Sequence, residues 1–158
     1  MTSEERREIR YQRRKAKRDE ARLKRSMACG DFDEVFSFRH LYLSAKKCCK
    51  GVYWKSSTQR YIGDLIPNVA LTLLSLKNGT FIHRGFHEFY IMERGKKRHI
   101  RSVHISERTV QKCLCDYCIV PIYSASFIYD NSASLKHRGM DFALRRMVYH
   151  LERHFRKH

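Results

Sequence analysis

Apolar residues recur at intervals of three and four along most of this chain, which is the pattern of amphipathic helices. The spacing predicts one helix over residues 38–50 and another over residues 57–78. Pro67 must either kink the second helix or lie in the first turn of a separate piece, with Asp64 upstream as a cap. The first half of the chain is therefore predicted to be helical.

The pattern changes to short alternating strands over residues 86–104, where Gly95 supplies the turn of a predicted β-hairpin. Helical spacing returns over residues 106–119, with Ser106 as the cap, and over residues 139–157. The fold class is thus α+β, mostly helical with one hairpin. The positions predicted to be buried on the helices are Phe38, Leu41, Tyr42, Ala45 and Cys49; Tyr61, Leu65, Val69, Leu73 and Leu76; Val110, Cys113, Leu114 and Tyr117; and Met140, Leu144, Met147, Leu151 and Phe155.

The net charge of the chain indicates the kind of partner it binds. The chain carries 33 basic and 16 acidic residues in 158, a net charge of +17, which indicates a polyanionic partner. Residues 1–30 form a basic arm, predicted to be either a solvated helix or disordered, before a domain over residues 31–158. Every long apolar run is interrupted by polar residues or proline, and no export signal is evident, so the expected location is the cytosol, without membrane contact.

The cysteines and histidines are the candidate metal ligands of this chain. Cys113, Cys115 and Cys118 could suggest zinc, but neighbours two apart on a helix point in diverging directions, so a core role is the stronger prediction. The chain contains no P-loop, GxSxG or HExxH motif. No catalytic residue and no metal ligand are therefore assigned.

A set of basic side chains in the hairpin, the next helix and the following loop could instead contact phosphates. An ordinary solvated surface is the competing interpretation. The candidates are Lys96, Lys97, Arg98, Arg101, Arg108, Lys136, His137 and Arg138.

The order of motifs across residues 38–158 resembles the N-terminal fingers of bacterial reverse transcriptases, of the group II intron-like and diversity-generating retroelement types. The matching segments are the basic strand KRHI, the helix start RTVQ, the segment VPI, the loop FIYDN, the turn KHRG and the long last helix. Two departures stand out: the turn ERGKK lacks the family's proline, and His137 stands where the family usually has glycine.

The resemblance implies that Lys96 and Arg98 contact the triphosphate of the incoming nucleotide. It also implies that Arg108 and the loop from Lys136 to Arg138 help hold the template strand or the fingers around it, with Lys97 and Arg101 as further backbone contacts. The expected ligand is RNA or an RNA–DNA hybrid, and binding should weaken as salt rises.

The family's catalytic aspartates lie in a palm that follows the fingers, and no aromatic-x-Asp-Asp sequence occurs here. We therefore expect a fingers-like fragment with the palm absent, inactive alone, which would meet Mg²⁺ only together with a separate palm or thumb polypeptide. The alternative is a standalone basic RNA-binding module. The two differ in one respect, because a fingers domain should leave an apolar face open for the palm.

Overall fold

The computed structural model describes residues 1–133, 135 and 137–156. It forms two compact units, Met1–Ile122 and Tyr123–His158. The predicted class is confirmed, because the described residues are mostly helical with a two-stranded antiparallel sheet. The boundary between the units lies at residue 122, whereas the sequence predicts a boundary near residue 30.

The first unit has the following helices and strands: α1 (Ser3–Ala28), α2 (Phe32–Val35), α3 (Phe38–Cys49), α4 (Ser56–Gly63), α5 (Leu65–Lys77), β1 (Phe86–Glu93), β2 (Lys96–Val103) and α6 (Ile105–Leu114). A π-helical turn over Cys115–Ile119 continues α6, and α7 (Val120–Tyr123) follows it. The second unit contains α8 (Met140–Phe155), where the sequence predicts a helix over residues 139–157. Lys157 lies outside the described residues.

The basic arm is a continuous helix, which decides between the two states predicted for it. A capping box starts it: Glu5 N–H donates to the Thr2 hydroxyl (3.2 Å) and Thr2 N–H donates to the Glu5 carboxylate (2.7 Å). At its far end Arg25 Nε donates to the carbonyl of Ile122 (2.8 Å). That bond attaches the end of α1 to the rest of the first unit.

The core of the first unit is formed by α3, which packs against α5 and α6. Leu41, Ala45 and Cys49 of α3 are at most 1% exposed, and Val69 of α5 and Cys113 of α6 are fully buried. The spacing of these positions brings them to one side of each helix, as the sequence predicts. The helical pattern of the first unit is thus confirmed where it sets the core.

Pro67 divides the helix predicted over residues 57–78 into α4 and α5. It occupies the third position of α5, within the first turn, where backbone N–H groups have no partner in the helix and the missing proton costs nothing. Asp64 lies at the N-cap position, but its side chain forms no capping hydrogen bond. Pro67 therefore lies in the first turn of a separate helix, which is one of the two predicted outcomes, and the predicted cap by Asp64 is absent.

The helix after the hairpin extends further than residue 119. Pro121 cannot donate a backbone hydrogen bond to the preceding turn, and its ring crowds a carbonyl of that turn. The π-helical turn Cys115–Ile119 widens the helix just before Pro121, which accommodates the ring. Cys113 is buried, and its thiol donates to the carbonyl of Val35 (3.3 Å), which confirms its core role. Burial raises the pKa of this thiol to about 11. Cys115 is exposed, so the core role predicted for it is wrong.

The apolar stripe of α8 is exposed, and its predicted burial is wrong. Leu144 and Leu151 are each 49% exposed, and Phe155 is 76% exposed. The preceding loop packs on the other side of the helix: the Tyr129 ring meets that of Phe142 at 5.9 Å. The sequence identified the apolar stripe correctly, but not the side of the helix that the loop would cover.

No helix among the described residues combines the length and the apolar character required to cross a membrane.

We predict that Leu41→Ala destabilises the protein by about 2–5 kcal/mol, because a fully buried side chain leaves a cavity. Leu151→Ala is the matched control and should change the free energy of unfolding by about 0.5 kcal/mol or less, since half of that side chain is already in water. Urea denaturation measures both. A loss at Leu151 as large as that at Leu41 would contradict the exposed position of the α8 stripe.

Candidate nucleic-acid interface

The hairpin turns at Arg94 and Gly95, with Glu93 paired to Lys96. Both turn residues have positive φ, 49° and 76°. This is the two-residue turn whose twist matches that of the strands, and Gly95 adopts it without steric cost. The turn is therefore tight and keeps the two strands in register.

The register separates the candidate phosphate contacts onto two faces of the hairpin, because paired residues share a side. Both faces are largely in water, and every residue of β1 is exposed. One side, here called the Tyr90 face, carries Glu88, Tyr90, Met92, Lys97, His99 and Arg101. The opposite side, here called the Phe89 face, carries Phe89, Ile91, Glu93, Lys96, Arg98 and Ile100.

The Tyr90 face is held together by its own side chains. The Tyr90 ring stacks on His99 (4.8 Å between centroids), and Lys97 Nζ lies 4.4 Å from the centre of the same ring. The Glu88 carboxylate lies 2.9 Å from His99 Nε2 and forms an ion pair with Arg101, also with 2.9 Å to Nε. Lys97 and Arg101, the predicted backbone contacts, therefore already have partners within the hairpin.

The Phe89 face carries the two side chains expected to contact the nucleotide. Arg98 forms an ion pair with Glu93, with 2.8 Å between Nε and the carboxylate, and both side chains are about half exposed. Lys96 has no ion-pair partner among the described residues. Exposed ion pairs contribute roughly 0–1 kcal/mol, so a phosphate can displace Glu93 from Arg98 at small cost.

A groove of about 920 Å³ lies where the base of the hairpin, including Phe89, meets α4 and α6. Its aromatic lining is Trp54, Phe86 and Phe89, and its cationic lining is Lys55, Arg84 and Arg108. No Asp or Glu lines it within the described part of the chain. Trp54 is 75% exposed, so its indole is open to a ligand.

A buried carboxylate holds the segment that enters the hairpin. Glu107 is 3% exposed; it accepts the backbone N–H of Arg84 (2.6 Å), and His83 Nε2 lies 3.1 Å from its other oxygen. Buried carboxylates require such partners, because desolvation otherwise disfavours their charge. Glu107 thus fixes the backbone of Arg84 beside the groove while Arg108, next in sequence, presents its side chain to the same groove.

The start of α6 is capped by His104, so the cap predicted at Ser106 is wrong. Nδ1 of His104 accepts from the Ser106 hydroxyl (2.8 Å) and from the Ser106 N–H (3.3 Å). Burial and the nearby charge of Arg84 lower the pKa of His104. A neutral ring keeps Nδ1 as an acceptor, so the lowered pKa and the cap support each other.

Arg108 is anchored through its backbone. Its carbonyl accepts from the Cys48 thiol at 3.4 Å, and burial raises the pKa of Cys48, which keeps that proton in place. The Arg108 side chain is exposed and forms no ion pair with any described residue. Among the predicted contacts, Arg108 therefore lies in the groove and retains an uncompensated charge.

The second unit places the loop residues as follows. Arg138 donates to the carbonyl of Tyr129 (2.7 Å), and its guanidinium lies 5.0 Å from the Tyr129 ring and 5.3 Å from the Phe142 ring. This side chain is thus engaged within the unit. His137 has φ of 60°, the left-handed conformation that favours glycine. Lys136, the third predicted contact of this loop, lies outside the described residues.

The same unit contains a charged cluster that the sequence did not reveal. Asp130 accepts from Arg146 Nε and, at 2.9 Å, from His150 Nε2. The bonds from Arg146 and His150 lower the pKa of Asp130. Arg146 also lies between the rings of Tyr129 (4.9 Å) and Tyr149 (4.6 Å). These contacts attach the loop to α8.

Trp54, Lys55, Arg84 and Glu107 are missing from the sites predicted from sequence. The first two lie in a segment interpreted only as a connection, and a lone Trp beside a Lys is the signal that could have identified them. Among the described residues, no cluster of three or more His, Cys, Asp or Glu side chains could hold a metal ion.

Comparison with known proteins adds no assignment: no protein-family model matches the chain, and no curated protein matches it significantly.

We predict that acid weakens the cap of α6. Because the pKa of His104 is lower in the folded than in the unfolded chain, the unfolded chain binds the proton first. Stability from the neutral ring is complete above about pH 6.5 and is lost as the pH falls below it. His104→Asn, which keeps a capping side chain, should therefore lose less free energy of unfolding than the wild type between neutral and mildly acidic pH.

Urea denaturation across that pH range measures the difference. His87→Asn is the control, since His87 lines the groove without capping a helix, and it should keep the wild-type pH dependence. If His104→Asn and the wild type lose stability in parallel, the neutral cap is not what acid removes.

Proposed function

We propose that this chain acts as the fingers-like module of an RNA-directed DNA polymerase, in which the groove binds a single template strand and the Phe89 face binds nucleotide phosphates. The observation that carries the proposal is the groove itself, with Trp54, Arg84 and Arg108 in its lining and no described carboxylate. The six free cysteines suit a reducing compartment, and the proposed location is the cytosol.

The groove suits a single strand better than other polyanions. Unpaired bases have π-faces that stack on exposed aromatic rings, and Trp54 offers such a ring. Phosphates need fixed cations, and Arg84 and Arg108 are held by their backbones beside α6. A concave groove at the base of the hairpin admits a splayed strand, whereas an anionic membrane surface cannot enter it.

The hairpin supports the second half of the proposal. Lys96 and Arg98 share the face that leads to the groove, so a nucleotide phosphate on that face would lie on the same side as the template. Arg98 would exchange its exposed bond to Glu93 for a phosphate, which offers more acceptor oxygens and more charge.

Two further observations favour the fingers interpretation over a standalone RNA-binding module. The backbone at His137 adopts the glycine-type conformation that the resemblance requires at that position. The apolar stripe of α8 is open to solvent, including Met147 at 53% and Leu151 at 49% exposure. An exposed apolar stripe of this kind is typical of a surface that receives another polypeptide, and the proposed partner is a palm that supplies the catalytic carboxylates.

We predict that RNA quenches the fluorescence of Trp54. It is the chain's single tryptophan, so its emission reports on this ring alone. Titration with an unstructured RNA strand should quench the emission, and Trp54→Ala should weaken binding by about 1–3 kcal/mol through loss of stacking.

Tyr53→Ala is the matched control, because Tyr53 is also exposed but does not line the groove. Arg108→Gln should weaken binding, whereas Arg39→Gln, an exposed change away from the groove, should not. RNA binding without quenching, or with equal losses at Tyr53 and Trp54, would remove the groove from the interface.

We also predict the outcome of primer extension. The chain with primer, RNA template, nucleotides and Mg²⁺ should extend no primer, since no described cluster of carboxylates can hold the metals. A palm polypeptide carrying the aromatic-x-Asp-Asp turn should restore extension when added. Arg98→Ala should then raise the apparent KM for nucleotide, by an amount equivalent to about 1.5–3 kcal/mol.

Arg94→Ala is the control for that substitution, because Arg94 lies in the turn of the same hairpin and makes no predicted contact. Extension by the chain alone would refute the division of labour between fingers and palm. If extension is restored and Arg98→Ala does not affect it, another side chain contacts the phosphates of the nucleotide.

A further inference from the structure

The N-terminal half of α1 carries a row of arginines on one side. Arg7, Arg10, Arg14 and Arg18 lie three or four positions apart, so they share a face of the helix, and with Tyr11 they line a shallow groove of about 410 Å³. All five residues are exposed. At 1.5 Å per residue the row is about 16 Å long. These five residues are called the arginine row below.

The acidic side chains of α1 do not neutralise this row. Asp19 pairs with Arg22, Glu20 pairs with Lys24, and Glu8 bonds to Gln12. Arg10 Nε donates to the carbonyl of Arg6, and none of the four arginines has a carboxylate partner among the described residues. Like charges one turn apart destabilise a helix. The row therefore has a cost to the free protein, which an anionic ligand would remove.

From this geometry we infer that the arginine row binds the sugar–phosphate backbone of a nucleic-acid duplex. A duplex carries one phosphate charge per 1.7 Å of axis, so about 16 Å of it presents roughly nine, against about half as many on a single strand. A duplex is also straight, and a straight helix can follow it without ordering it first. A flexible strand would lose conformational entropy on the same row.

Other anionic partners fit less well. A helix that lies on a membrane needs a broad apolar face, and Ile9 and Leu23 are the large aliphatic side chains between Ser3 and Ser26. Guanidinium groups bind phosphate oxygens in pairs, which a regular phosphate backbone supplies along the whole row. The row reads no base edges, so binding should be independent of sequence.

This inference goes beyond the proposed function, because it concerns a different surface and a double-stranded ligand. It holds or fails separately from the template groove and from the nucleotide contacts of the hairpin. The shared ligand chemistry is a paired phosphate backbone, which an RNA duplex, an RNA–DNA hybrid or a DNA duplex could supply.

The test compares two variants of equal charge. The first changes Arg7, Arg10, Arg14 and Arg18 to Gln. The second, its control, changes Arg6, Arg13, Lys15 and Lys17 to Gln, which removes the same charge from the same segment but lies off the row. No residue of α1 is buried, so neither variant should unfold the protein, and circular dichroism checks that the helix remains.

Affinity is measured at several salt concentrations for the three duplexes, for a single RNA strand of equal length and for vesicles of anionic lipid. We expect the first variant to bind duplex at least about tenfold more weakly and to lower the salt slope by about three to four units, at roughly 0.9 per phosphate contact. The control should lose about threefold or less. Whichever duplex binds best identifies the source of the backbone.

Equal losses in both variants would overturn the inference, because net charge alone would then explain binding. Tighter binding of the single strand or of the vesicles to the row would also overturn it. A third variant, with Lys96→Gln and Arg98→Gln, should retain duplex binding. If this hairpin variant loses duplex binding while the arginine-row variant retains it, the duplex binds the hairpin instead. Failure of the Trp54 or primer-extension tests leaves these outcomes unchanged.

Discussion

The packing of α3 between α5 and α6 is the constraint on which the first unit depends. Leu41, Ala45 and Cys49 meet Val69 and Cys113 there with almost no exposed surface. This core is small, and a two-stranded hairpin whose faces are both exposed to solvent is only marginally stable by itself. The hairpin and the N-terminal half of α1 are exposed to solvent, while α3, α5 and α6 supply the buried contacts that stabilise the first unit. The first unit is therefore a small packed base that presents two exposed basic elements.

Two polar residues connect this base to the groove. Glu107 and His104 flank the start of α6, and each acts on a backbone N–H: Glu107 on that of Arg84, and His104 on that of Ser106. The second bond requires a neutral ring, because a protonated Nδ1 of His104 cannot accept a hydrogen bond. Arg84 and Arg108 are thus held beside the groove through their backbones, and neither guanidinium has a carboxylate partner among the described residues.

Periodicity predicted what depends on neighbours along the chain, and missed what depends on tertiary packing. Leu41, Ala45 and Cys49 of the α3 stripe are buried as predicted, because one face of α3 meets the other helices whatever their order, whereas Phe38 at the start of that stripe is 40% exposed. The stripe of α8 is just as regular, yet Leu151 is exposed, since the loop contacts of Asp130 and Tyr129 decide which side is covered. The groove eluded prediction for the same reason: Trp54, Arg84 and Arg108 lie far apart in sequence.

Many carboxylates of this chain form ion pairs or hydrogen bonds within the fold. The positive charge of the groove and of the arginine row is therefore left without carboxylate partners among the described residues. Asp116 illustrates this pairing: burial opposes its ionisation, but bonds from Lys112 and Lys47, both 2.8 Å, prevail and lower its pKa. Such pairs stabilise the fold while the groove and the arginine row keep their charge. Self-repulsion then destabilises the compact state, and a ligand that binds only the folded chain restores stability by mass action. A polyanion should therefore raise the melting temperature as well as occupy the basic surfaces.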